Sequence, residues 1–156
     1  MSNALHVEAP EGLPFIDYTR EFDAPVEAVF RAHADPELFG RWIGYGQAVL
    51  ERYDFRTGGG FRYYETAPDG VEYAFRGVFH VVRENEFAIQ TFEFEGYPDV
   101  VSIESMRFVP LEGGRTRIEG HAVYPSLEAR DGMAASGMEE GMTTTYDKLE
   151  AVLAAL

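Results

Sequence analysis

Two sets of side chains in this sequence have the types and spacing for chemistry. The first is aromatic and thioether: Trp42, Tyr53, Phe61, Tyr63, Tyr73, Phe75, Phe92 and Phe94, joined by Met106, Met138 and Met142. Small-molecule sites are mostly apolar with a few placed polar groups; tyrosine supplies both a ring and a hydroxyl, and methionine adapts to irregular neighbours. The same residues also suit a packed core. The hydroxyls of Tyr53, Tyr63 and Tyr73 favour a cavity, because a buried hydroxyl needs a partner that water or a ligand supplies. The second set is Glu51, Glu65 and Glu104, which fall on the inward parity of their strands. A carboxylate that points inward has a raised pKa and can act as an acid or base or hold a polar ligand group, whereas a register slip returns it to water. Glu104 is the one assigned to the site.

Other chemistries lack their patterns. His6, His33, His80 and His121 show no metal-ligand spacing, so neither a metal nor a cofactor is expected. The chain has no cysteine, which excludes disulfides and thiol nucleophiles, and no GxSxG elbow. Gly58, Gly59 and Gly60 precede an aromatic strand rather than a helix, so they read as a turn and not a phosphate cradle. Arg130 and Asp131 read as a local ion pair, with a lid at the cavity mouth as the alternative.

A helix must carry Met138 and Met142, with Gly141 between them. Leu149, Val152, Leu153 and Leu156 continue the stripe at three- and four-residue spacing, which predicts one long helix after Pro125. Its first half is loose, since glycine weakens helices, and its second half is well made. Upstream, Leu13–Phe22 reads as a first strand, and Ala24-Pro25 opens a short helix to about His33. Asp35 as N-cap and Pro36 just inside open a second, ending near Trp42. Period-two runs near 47–55, 61–66, 71–82, 87–95, 100–109 and 115–124 then follow, divided by glycine, proline, asparagine and aspartate turns. Their short connections predict an antiparallel meander whose apolar face the last helix covers. The inward positions are Val49, Tyr53 and Phe55; Phe61 and Tyr63; Tyr73, Phe75, Gly77, Phe79 and Val81; Phe92 and Phe94; Met106 and Phe108; and Ile118, Gly120, Ala122 and Tyr124.

At 156 residues the chain is read as one domain over 13–156 behind a flexible leader, 1–12. Thirteen basic against 27 acidic residues give a net charge of −14, which disfavours nucleic acid and anionic membranes as partners. No apolar run approaches the ~20 residues of a membrane span, and a cytoplasmic location is expected.

The run FDAPVEAVFRAHADPELFGRWIG, the turn DFRTGGGFRYY, the stretch EYAFRGVFHVV, the TFEFEG strand, GGRTRIE and EARDGMAASGMEEGM carry a resemblance over about 13–156. Together they resemble the bacterial branch of the activators of heat-shock-protein-90 ATPase, within the START and Bet-v-1-like superfamily. The resemblance implies an α+β helix-grip fold, in which a curved seven-stranded antiparallel sheet wraps round the long C-terminal helix and two small helices close one end. It also implies binding of lipids, sterols, polyketides or other apolar molecules between sheet and helix, with cyclisation or hydrolysis in a minority of members. Co-chaperone activity belongs to relatives with an additional N-terminal domain, where this chain has a short leader.

The expected function is non-catalytic binding of an apolar or aromatic small molecule. A hydrolase or cyclase using an inward carboxylate and tyrosine is the first alternative. The second is a chaperone-directed interaction module, which needs an apolar patch on the outer sheet face, where Glu72, Arg76, His80, Arg117, Glu119 and His121 are polar.

Overall fold

The computed structural model describes residues 3–156. Among them lie the strands β1 (His6–Glu8), β2 (Phe15–Phe22), β3 (Val49–Tyr53), β4 (Gly60–Thr66), β5 (Glu72–Arg83), β6 (Phe87–Phe94), β7 (Val101–Leu111) and β8 (Arg115–Val123). The helices are α1 (Val26–Ala34), α2 (Pro36–Trp42), α3 (Leu127–Ala134) and α4 (Met138–Ala154). The strands form one antiparallel sheet in the order β1-β2-β8-β7-β6-β5-β4-β3. β3 to β8 run as a meander, and the two helices after β2 let it return beside β8. Turn chemistry acts where expected: Asn85 and Asp99 take positive φ values of 62° and 70°, a region that tolerates these two residue types best after glycine. Asp35 caps α2, its carboxylate accepting from the Glu37 amide at 2.9 Å.

Three expectations are corrected. The sheet has eight strands rather than seven, because His6–Glu8, inside the segment read as leader, pairs with β2 from His6↔Thr19 to Glu8↔Asp17. Three residues are too few to show a period, whereas the open edge of β2 is a ready template for them. The C-terminal helix is broken rather than continuous. Gly137, at φ 81°, lies outside helical space and separates α3 from α4. Third, two bulges reverse the inward parity. A shift between Leu50 and Arg52 turns Leu50 inward, leaving Val49 and Glu51 exposed, and another between Phe79 and Val81 replaces Val81 by Val82 against the core.

The second half of α4 closes the core. Tyr146, Leu149 and Leu153 pack with Phe22, Val29, Phe108 and Ile118 between the sheet and α1. Arg20 of β2, 3% exposed, reaches across to α4 and pairs with Asp147 at 3.1 Å and Glu150 at 3.8 Å. Arg130 ties α3 down from its buried position, donating to the Pro10 carbonyl at 2.7 Å and to its neighbour Asp131 at 2.7 Å. The first half of α4 has no such anchors and carries no fully buried residue before Tyr146.

Candidate functional site: a cavity between sheet and helix

Because the loose half of α4 stands off the sheet, a cavity of about 670 Å³ remains between them. A normally packed core leaves few voids larger than a water molecule, and ligand pockets run from roughly 300 to 1,000 Å³. Strands β4 to β8 supply the floor, α4 one wall, and α2 with the loop after it the far end. Tyr45, Gly141 and Thr144 line the cavity yet are exposed, so it meets solvent between that loop and the first turns of α4.

The residues singled out from the sequence converge here. Trp42, Tyr53, Phe61, Tyr63, Tyr73, Phe75, Phe92, Glu104, Met106, Met138, Gly141 and Met142 all line the cavity. Phe94 does not. It packs beside Phe75 and Tyr73, with centroids 5.3 and 5.9 Å away, under Gly96 at the strand end. The wall is a run of ring contacts: Phe39 stacks on Tyr53 at 4.5 Å, Phe61 on Tyr63 at 5.8 Å and Phe75 on Phe92 at 5.4 Å. Trp42 is fixed by its indole N–H, which donates to the Ala32 carbonyl at 2.9 Å. Gly120 makes room at the floor: a Cβ there would lie 2.0 Å from Tyr18 Cζ, so the Tyr18 ring lies over the bare backbone.

The three glutamates separate. Glu51 lies in the β3 bulge and pairs with Arg62 on the outer face at 2.6 Å. Glu65 is buried near the mouth, where its carboxylate accepts from the Tyr45 amide at 3.0 Å and holds the loop after α2. Glu104 stands on the floor, opposite Gln90 of β6 and Ala122 of β8. Burial pushes its carboxyl up to about 7, and a hydrogen bond from Ser102 Oγ at 3.1 Å offsets part of that rise. Burial pushes up the hydroxyls of Tyr18, Tyr63, Tyr124 and Tyr146, and the charge of the Glu104 carboxylate raises them further, so they remain protonated.

His33 was not marked as a site residue from sequence. It is 4% exposed, packed between Trp42 and Phe108, and lines the cavity. Its Nδ1 lies 2.8 Å from the Val29 carbonyl, and a carbonyl only accepts, so Nδ1 carries the proton. Nε2 is then a bare acceptor, with no hydrogen-bond partner among the described residues. Burial holds the imidazole down to about 4, neutral at physiological pH. The available signal was its place one turn beyond Val29 on the apolar face of α1. The Tyr53 hydroxyl donates to the His33 carbonyl, so one of the three tyrosines finds its partner in the protein after all. Among the described residues, no group of three or more acidic and histidine side chains converges as metal ligands would.

A family model described as "Activator of Hsp90 ATPase homolog 1-like protein" matches residues 23–154. The chain belongs to this family. The activator-of-Hsp90-ATPase-like family lies within the SRPBCC, or Bet-v-1-like, superfamily, and the sheet, the two small helices and the C-terminal helix follow its fold. Solved structures agree over nearly the whole chain. A protein of Arthrobacter aurescens, solved by NMR, is 30% identical with a TM-score of 0.87, covering 97% of this chain and 92% of its own. A crystal structure from Mycobacterium smegmatis is 28% identical, TM-score 0.85, covering 97% of each chain. One from Rhodobacter sphaeroides is 25% identical, TM-score 0.85, covering 97% of this chain and 99% of that one. No curated protein matches this member of the family. No helix among its described residues is long and apolar enough to cross a membrane.

Proposed function

We propose that the protein binds an apolar or aromatic small molecule in the cavity between the sheet and α4, as a cytoplasmic binder that needs no cofactor. The observation that carries this reading is the cavity itself: about 670 Å³ of space walled by aromatic rings and methionines, open between the α2–β3 loop and α4. Maintaining such a void costs packing energy that a purely structural core would recover by filling it. Trp42, Phe61, Phe75, Phe92, Met106, Met138 and Met142 supply contact area, and Tyr63, Tyr73 and Glu104 supply orientation. Native mass spectrometry of protein purified gently from its own host tests the reading, together with titration of the neutral fluorophore N-phenyl-1-naphthylamine. A co-purifying small molecule, or saturable one-to-one dye binding, is expected. Protein that arrives empty and binds no dye overturns the reading.

Glu104 also favours a second reading, acid–base catalysis on the bound molecule, because a carboxyl held near neutrality beside tyrosine hydroxyls can give and take protons. Turnover of the co-purified compound by wild type and not by Glu104→Gln would identify it. A chaperone-directed role, suggested by the family's name, draws on the outer sheet face. Val78, Ile103 and Val123 are exposed there, and Ile103 stands in register with Thr91 and Val123.

A further inference from the structure

The polar groups of the cavity are unbalanced in a way that selects among apolar ligands. Three formally charged side chains line it: Glu65, Glu104 and Lys148. The Lys148 ammonium is engaged at the mouth, where it donates to the Gly44 carbonyl. Neither glutamate takes part in any ion pair among the described residues. Glu65 has a structural donor in the Tyr45 amide, but among the described residues Glu104 has only the Ser102 hydroxyl, bonded to Oε2, which leaves Oε1 without one. The unused capacity is thus an acceptor on β7, and among the described residues that line the cavity the one formal cation, Lys148, is already engaged.

Resting on the binding reading above, we propose that the ligand is a cationic amphiphile: an apolar or aromatic body bearing an ammonium-type nitrogen that pairs with Glu104 while the body lies against the aromatic wall. A buried carboxylate without a counter-charge is costly, and a ligand cation supplies what the protein omits. A net charge of −14 draws cations toward the mouth. A fatty acid or other anion meets the reverse: it would place its negative charge beside Glu104, with no free cation in the lining to receive it. Four tyrosines, from β2, β4, α4 and the end of β8, feel the charge of Glu104, and all stay neutral, so none supplies the counter-charge. Because burial keeps Glu104 partly protonated near neutrality, an arriving ammonium displaces that proton.

Three probes of one shape separate the charge claim from the cavity claim: naphthylethylamine, naphthylethanol and naphthylpropanoate, titrated by calorimetry. About 0.3 M salt brings the Debye length below about 6 Å and screens surface attraction. The amine is expected to bind at least about tenfold tighter than the alcohol, and the carboxylate weaker than either. The amine's advantage should grow from about pH 6 to about pH 8 as Glu104 loses its proton, and should collapse in Glu104→Gln. If the alcohol binds but the amine gains nothing over it, or the carboxylate binds best, the charge proposal is overturned while the cavity reading stands. An amine preference that persists in Glu104→Gln and is flat with pH also overturns it. If no probe binds, both fall together.

Discussion

Ser102 Oγ lies 3.1 Å from Glu104 Oε2 and 3.4 Å from the Phe92 carbonyl, so one hydroxyl proton has two acceptors on the cavity floor. Toward an ionised Glu104 the charge-assisted bond wins. Toward a protonated Glu104 the hydroxyl can accept the carboxyl proton and donate to Phe92 instead. Ser102 therefore keeps a hydrogen bond to the carboxyl in both of its states, and the floor tolerates titration at neutral pH.

Glu104 has a folded pKa of about 7 against an ordinary value of 4.5, so folding favours its protonated form. Stability from this group is fully present below the unfolded value and is lost as pH rises through about 7. The loss is on the order of 3 kcal/mol when complete. Glu104→Gln removes the penalty. Its melting temperature should exceed that of wild type at about pH 8 and converge on it near pH 5, as read by thermal denaturation across pH. A variant less stable than wild type at about pH 8 would show that Glu104 is charged and paired in the folded protein.

His33 has the opposite linkage. Its folded pKa of about 4 lies below the ordinary 6.5, so the folded state resists protonation and stability is lost as pH falls from about 6.5 through 4. The imidazole carbon resonances should stay at their neutral Nδ1–H positions from about pH 8 down to about pH 5 in NMR titration. A midpoint near the ordinary value would contradict the buried, unpartnered Nε2.

Gly141→Leu separates cavity from core. A Cβ at Gly141 meets nothing within 4 Å, and its φ is not positive, so the larger side chain enters open space on α4. Leucine is the better helix former by roughly 1 kcal/mol. The expected result is a melting temperature equal to or above wild type, with dye or amine binding weakened at least about tenfold. Unchanged binding would count against the cavity as the site.

Gly120→Ala should do the reverse. Its Cβ would fall 2.0 Å from Tyr18 Cζ, so the buried ring must shift from its packing beside Tyr146. Overpacking of this kind costs ~1–3 kcal/mol, visible as a lower denaturant midpoint with an unchanged slope.

The sequence by itself determined the elements whose causes are local. Asp35 and Pro36 start α2 because capping and a fixed φ act within one turn, and the divisions between β3 and β8 follow from turn residues and alternation. It also placed most of the cavity wall, since Tyr53, Phe61, Tyr63, Phe75, Phe92 and Met106 keep their parity. Tertiary structure decided the rest. The bulge at Leu50/Arg52 sent Val49 and Glu51 outward, because pairing with β4 and the inward pull on Leu50 outweigh strict alternation. β1 exists only because β2 offers it an edge. Among three inward glutamates, only the assembled neighbours distinguish Glu51, paired with Arg62, and Glu65, holding the Tyr45 amide, from Glu104, left without a cation. The charge state of Glu104 follows from the burial that the assembled sheet and helix impose on it, offset in part by Ser102, and no local rule carries that information.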